Sequence, residues 1–181
     1  MILPETVETP RLHLRKPLME DAPGIFEQYA ADPEVTRFLT WRPHQSEADT
    51  LSLMLSRLSC WENGTEFAWV ITRREASVSP LGMISAIPDE RHSWRWSLGY
   101  VLARSCWGHG YMTEAVRAVI ATVFDQPHVH RIAAFADEEN FASARVLEKA
   151  GMQREGILRR WSLHPNISSV PRDCWSFAVV R

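Results

Sequence analysis

Cys106-Trp107-Gly108-His109-Gly110-Tyr111-Met112-Thr113 brings together the residue types best placed to do chemistry in this chain. Gly108 and Gly110 stand just before an amphipathic run, so the backbone can turn several N–H groups toward one point. A helix starting there adds unpaired donors and a partial positive charge, which suits a phosphate or another anion. A plain strand-to-helix turn, with glycines supplying positive φ, fits the same spacing. Two phosphate loops can be tested directly. A P-loop ends in Gly-Lys-Ser/Thr, and no Lys is present. A dinucleotide fingerprint needs a third glycine where Thr113 stands, and an early acidic residue after the next strand. Neither fits. Cys106 and His109 also suggest a thiol with a base, or a pair of metal ligands, but both sites lack the further groups they need. No metal is expected.

The elements around this loop follow from periodicity. Trp96, Leu98, Tyr100 and Leu102 fall on one face of a strand and Ser97, Gly99 and Val101 on the other. From Thr113 the doublets Ala115/Val116, Val119/Ile120 and Val123/Phe124 recur four apart, the signature of a helix with one apolar face. Arg131 to Ala136 then reads as a short apolar strand, so strand, helix and strand should form a right-handed parallel crossover. Asn140 is a good N-cap for a helix ending at Gly151.

Upstream, residues 1–10 read as a loose lead-in and Arg11–Arg15 as a short strand. Asp21 reads as the cap of a helix that Asp32-Pro33-Glu34 breaks. Ser46-Glu47-Ala48-Asp49 forms a capping box for a helix that Asn63-Gly64 closes. Phe67–Thr72 and Leu81–Ile87 read as a hairpin around the polar turn Arg73–Pro80, and Gly156–Leu163 and Arg172–Val180 as two closing strands. The expected class is mixed α/β (α+β): a largely antiparallel sheet with one parallel crossover and helices on both faces. At 181 residues, with no linker or repeat, one domain over 1–181 is expected, its core running from about residue 9.

Composition narrows the function classes. A net charge of −2 argues against broad nucleic-acid binding, which depends on many Lys and Arg contacts. No apolar run approaches membrane-spanning length, and Met-Ile-Leu-Pro-Glu has no basic start before an apolar signal core. Three scattered cysteines point to a reducing cytoplasm. Neither nucleic acid nor membrane is expected as a partner.

In several places the chain resembles the GNAT N-acetyltransferase superfamily, and specifically its RimJ/RimL-like branch. The residues that carry the resemblance are Leu98-Gly99-Tyr100-Val101-Leu102, Trp107-Gly108-His109-Gly110-Tyr111-Met112-Thr113-Glu114-Ala115, and the Asn140–Met152 helix. Asp32-Pro33-Glu34-Val35 and Glu155-Gly156-Ile157-Leu158-Arg159 add to it. The resemblance implies acetyl-CoA as the acetyl donor, held where the central strand and the Arg131 strand splay apart. Backbone N–H groups from Trp107 to Met112, Gly108, His109 and Gly110 among them, would bind the pyrophosphate, with Thr113 adding a hydroxyl. Pantetheine would run beside Tyr100, Val101 and Leu102, and an N–H of that strand would stabilise the oxyanion. Asn140 would cap its helix and bond pantetheine. Where many relatives carry a Tyr that protonates the leaving thiolate, this chain has Leu147. Ser143 therefore becomes the candidate acid, or alternatively a residue that only helps the helix start. Met112 also departs from the pattern, adding bulk where relatives carry Gly or Ala.

A base is harder to find. Ser97 stands where branch relatives often have Glu; Glu66, Glu114, His13 and His164 are the other candidates, and none stands out. An α-amine, with a reference pKa of about 7.7–8.0 against about 10.4 for Lys, needs a base less. The leading expectation is direct acetyl transfer to a protein or peptide N-terminus by a monomer or homodimer. The alternatives are a small amine (an amino acid derivative, polyamine or antibiotic) and an acyl-CoA sensor that has lost catalysis. Trp41, Trp94, Trp161 and the His164–Pro171 loop are expected to wall the acceptor cleft.

Overall fold

The computed structural model describes residues 3–75 and 79–181. β1 (Thr6–Glu8) and β2 (Leu12–Arg15) open it as an antiparallel pair, Thr6 opposite Arg15 and Glu8 opposite His13. The segment expected to be a loose lead-in therefore contains an edge strand. Three residues are too few to show a period, and only pairing with β2 makes them a strand.

A 3-10 turn (Met19–Asp21) leads into α1 (Ala22–Ile25) and then a π turn (Phe26–Ala30). Asp21 stands at the N-cap position of α1, as the sequence suggests, but its side chain makes no cap bond there. Its carboxylate accepts the Leu18 N–H at 2.8 Å and both Arg15 guanidinium nitrogens at 2.8 and 2.5 Å, so helical geometry starts before it. α2 (Pro33–Thr36) follows, with Asp32 accepting the Glu34 N–H at 2.9 Å. Asp32-Pro33-Glu34 thus restarts a helix as well as breaking one. α3 (Glu47–Asn63) has the expected capping box at Ser46 and ends at Gly64, whose φ is 68°.

β3 (Phe67–Arg73) and β4 (Gly82–Pro88) form the expected antiparallel hairpin. Residues 76–78 of its Arg73–Pro80 turn lie outside the described residues, as do Met1 and Ile2 of the N-terminal segment. β5 (Arg95–Leu102), α4 (Tyr111–Phe124) and β6 (Arg131–Asp137) make the parallel crossover, followed by α5 (Phe141–Lys149), β7 (Gln153–Ser162) and β8 (Arg172–Val180). The sheet order is β1-β2-β3-β4-β5-β6-β8-β7, with β8 inserted between β6 and β7. This is the mixed, largely antiparallel sheet with flanking helices that the sequence implies.

The α4 doublets do what their spacing predicts: Ala115, Val116, Val119 and Val123 are fully buried. Trp61 of α3 sets its ring edge against Phe67 and Trp69, and Phe67 stacks on Trp96 of β5. At the centre of the sheet, β5 and β6 pair only at Arg95–Arg131, Trp96–Ile132 and Ser97–Ala133. Beyond Ser97, β5 stays with β4 as far as Leu102 while β6 stays with β8 as far as Asp137, so the two parallel strands diverge. Among the described residues no helix is long and apolar enough to cross a membrane.

Candidate active site

The divergence of β5 and β6 opens a cleft of about 1500 Å³. It runs from the Gly108–Gly110 turn past β5 and the start of α5 to a wall that includes Trp41 and His164. Every residue expected to bind a cofactor borders it except His109. The His109 side chain turns aside: its Nδ1 lies 2.8 Å from the Trp107 carbonyl and its ring stacks on Tyr111.

The turn is built by backbone conformation. Gly108 and Gly110 have φ of 78° and 77°, values that an L side chain rarely adopts, and Gly110 is the N-cap of α4. No side chain caps α4, so its first N–H groups are available to an anion. Met112 is 3% exposed and packs into the core while still bordering the cleft. Its bulk is therefore accommodated inside the protein and does not stand over the turn. Trp107 donates its indole N–H to the Leu102 carbonyl at 2.8 Å, tying the loop to the end of β5. That carbonyl is occupied, which narrows the backbone groups expected to be free for pantetheine.

Glu114 proves to be a structural latch. It accepts from the Thr9 hydroxyl at 2.7 Å, the Arg11 N–H at 3.0 Å and the Arg11 Nε at 2.7 Å. Burial pushes its carboxyl up, but these donors outweigh that and hold it below the usual range. The latch places Arg11 beside the turn, where it also donates to the His109 carbonyl at 2.9 Å and lies over the Tyr111 ring. Arg11, Arg117, Arg145 and Lys149 all border the cleft, whose lining also holds the carboxylates of Glu8, Glu34, Glu66, Glu114 and Asp137. Sequence reading missed all four: Arg11 precedes β2, Arg117 is on α4, Arg145 and Lys149 are on α5, and together they carry no motif.

At the start of α5, Asn140 accepts the Ser143 N–H at 3.1 Å, the cap that its position predicts. The Ser143 hydroxyl lies 2.7 Å from the Tyr100 hydroxyl, across the gap between α5 and β5. Burial pushes the Tyr100 phenol well above its ordinary pKa, so it stays protonated at neutral pH and can donate to Ser143. The Tyr100 hydroxyl also donates to the Ser143 carbonyl at 3.3 Å; when its proton goes to Oγ instead, the Ser143 proton is left for an acceptor in the cleft. Leu147, by contrast, is fully buried core.

The remaining candidates separate clearly. Cys106 is 3% exposed, and no hydrogen bond joins it to His109. His13 pairs with Glu8 and does not border the cleft. Glu66 does border it, in an ion pair with Arg57. Trp41 lines the cleft but Trp94 and Trp161 do not: the first lies beside His92 and Arg95, the second against Phe135. His164 is the member of its loop that lines the cleft. Among the described residues no group of His, Cys, Asp and Glu is arranged to hold a metal ion.

Asp137, at the end of β6, accepts from Arg172 at 2.6 and 3.1 Å and from the Glu139 N–H at 3.0 Å. Burial pushes its carboxyl up, yet Arg172 and the Glu139 N–H bring it below the ordinary range on balance. A depressed folded-state pKa stabilises fully above the unfolded value, near 3.9, and that stabilisation fades as pH falls through the folded one. Urea titrations should therefore show stability falling below about pH 4, with a shallower acid limb in D137N.

The sequence profile of the Acetyltransferase (GNAT) domain matches residues 11–153. An uncharacterized N-acetyltransferase of Bacillus licheniformis, p20, is 34% identical over 157 residues, 86% of each chain. Among solved structures, Mycobacterium smegmatis RimJ in complex with CoA-disulfide superposes with a TM-score of 0.85 at 22% identity, covering 99% of this chain and 90% of that one. The ribosomal L7/L12 α-N-protein acetyltransferase RimL in complex with coenzyme A gives 0.83 at 17% identity, covering 99% and 98%. At these identities the two structures share the fold.

Proposed function

The chain belongs to the GNAT acetyltransferase family, and on that footing we propose that it transfers acetyl from acetyl-CoA to a protein or peptide N-terminal α-amine. The observation that carries this reading is the cleft itself. The parting of β5 and β6, an uncapped α4 behind two positive-φ glycines, and the Asn140-capped start of α5 all face one space. In this reading the N–H groups at the start of α4 take the pyrophosphate, helped by Arg11, and Thr113 adds its hydroxyl. The edge of β5 that β6 leaves unpaired guides pantetheine as an added strand would, with the Asn140 amide nearby. A β5 N–H meets the carbonyl oxygen as charge develops on it. Ser143, backed by Tyr100, gives the leaving sulfur its proton.

The α-amine assignment is supported by Ser97, which leaves the site without the Glu that branch relatives often carry there, and the branch proposal rests on the motifs that resemble it, with a fold shared with RimJ and RimL. An acceptor that loses its proton readily suits such a site. The chain is taken to act as one domain in the cytoplasm. A panel of peptides with free N-termini, the same peptides blocked at the N-terminus but carrying Lys, and small amines tests it. Acetyl should appear on the free N-termini. Acetylation confined to small amines would overturn the protein-terminus reading while leaving the transferase intact.

A further inference from the structure

The cleft carries more positive charge than the glycine turn uses. Arg117 of α4 and Arg145 and Lys149 of α5 border it, and all three residues are exposed. Arg145 and Lys149 stand four apart on α5, so they project from one face of that helix, where like charges repel. Arg117 joins them from the neighbouring helix. One of its terminal nitrogens donates to the Lys149 carbonyl at the end of α5, a bond that uses one of its five N–H donors. Three cations thus stand along the seam between two helices.

The carboxylates of the same lining do not neutralise them. Glu114, on α4 just before Arg117, is held by Thr9 and Arg11; Glu66 pairs with Arg57, Glu8 with His13, and Asp137 with Arg172. Among the described residues the Arg145 and Lys149 side chains have no hydrogen bond, ion pair or ring contact, and Arg117 has the Lys149 carbonyl alone. Two of the three have a plain structural use. Lys149 stands in the last turn of α5, where a cation favours the helix dipole, and Arg117 ties α4 to α5. Neither use accounts for Arg145, which adds a second charge one turn away on the same face. An anion bound along the seam would turn this repulsion into attraction.

Position says which anion. Thr113 lies in the first turn of α4, beside the uncapped N–H groups to which the pyrophosphate is assigned, and Arg117 is four residues further on. Four residues of helix rise about 6 Å, a span that one ribose bridges. In coenzyme A the ribose that follows the pyrophosphate carries a further phosphate on its 3′ oxygen.

We propose that Arg145, Lys149 and Arg117 form a clamp for that 3′-phosphate, and so make the protein select coenzyme A and its thioesters over their 3′-dephospho forms. This rests on the placement of the pyrophosphate at the start of α4. Arg145 presents a planar fork suited to two phosphate oxygens, Lys149 supplies a point charge, and Arg117, anchored on the Lys149 carbonyl, closes the site from α4. The clamp acts on donor affinity and takes no part in the transfer step.

The test compares CoA with 3′-dephospho-CoA by calorimetry on the full chain, with no acceptor present. Both ligands keep the pyrophosphate, so affinity for 3′-dephospho-CoA reports the glycine turn, and the difference between the two reports the clamp. Wild type should bind CoA about 30-fold tighter or more, the order expected of a charge-assisted hydrogen bond. R145A/K149A changes two exposed helix positions to a strong helix former, so the fold should be kept. It should remove most of the preference by weakening CoA alone, leaving 3′-dephospho-CoA within about twofold of wild type. R145K should keep part of the preference, and raising the salt concentration should shrink it in wild type. A purely structural role for these residues would weaken both nucleotides alike or neither. Equal wild-type affinities for the two nucleotides, or a preference that survives R145A/K149A, would overturn the clamp and leave the transferase reading intact. A wild type that binds neither nucleotide would overturn the cofactor site as a whole, the clamp included.

Discussion

Replacing Gly110 by Asp is expected to weaken acetyl-CoA binding by about 100-fold or more. Two effects add. At φ 77° a side chain forces the α4 N-cap out of its preferred backbone, at about 1–2 kcal/mol. The larger effect is charge: a carboxylate about 4 Å from a phosphate oxygen, at an effective dielectric near 20, is repelled by about 4 kcal/mol per unit charge. One group works against this. The position of an added Cβ lies 3.6 Å from Arg11 Nη2, so Arg11 can pair with the new carboxylate. That pairing would also withdraw Arg11 from the ligand. Gly110→Ala separates the two effects, because it carries the backbone cost without the charge and should weaken binding by about tenfold or less. Calorimetry with CoA reads both variants. Unchanged affinity in G110D would remove the pyrophosphate from this turn.

Ser143→Ala is expected to lower kcat by about 100-fold while acetyl-CoA affinity stays within about threefold. The hydroxyl faces the cleft at the first turn of α5, and its bond to Tyr100 is with a phenol that burial keeps protonated. Tyr100→Phe keeps the ring and removes only the hydroxyl, so a smaller loss, about tenfold, should follow. If the two act as one relay, S143A/Y100F should be hardly slower than S143A. Losses that multiply would mean separate roles, and an unchanged S143A rate would remove Ser143 from the chemistry. Helix stability measured alongside guards against the plainer role, since the Asn140 cap uses the Ser143 backbone N–H and not its hydroxyl.

Much of the molecule is legible in the residues. The alternation of Trp96–Leu102, the α4 doublets and the caps at Ser46 and Asn140 are local patterns, and burial or capping follows from them directly. Where local signals are short or ambiguous, reading fails. Thr6–Glu8 is a strand only because β2 pairs with it, and Asp21 reaches back to Leu18 and Arg15 because helical geometry begins before it. The glycine turn is readable as an anion site from its spacing alone, and resemblance supplies the anion expected there.

What the sequence could not determine depends on residues far apart in the chain. Glu114 is a latch because Thr9 and Arg11, more than a hundred residues earlier, fold over it. Tyr100 reads as one face of a strand, and only the parting of β5 from β6 aims its hydroxyl at Ser143. His164 is one histidine among seven. Its pairing with Asp137 exists because β8 inserts beside β6 and the preceding loop is pinned to the segment after α2. Periodicity reports which way a side chain faces within its own element. Which charge it meets is decided by sheet order and by where paired strands diverge, and those are properties of the assembled chain.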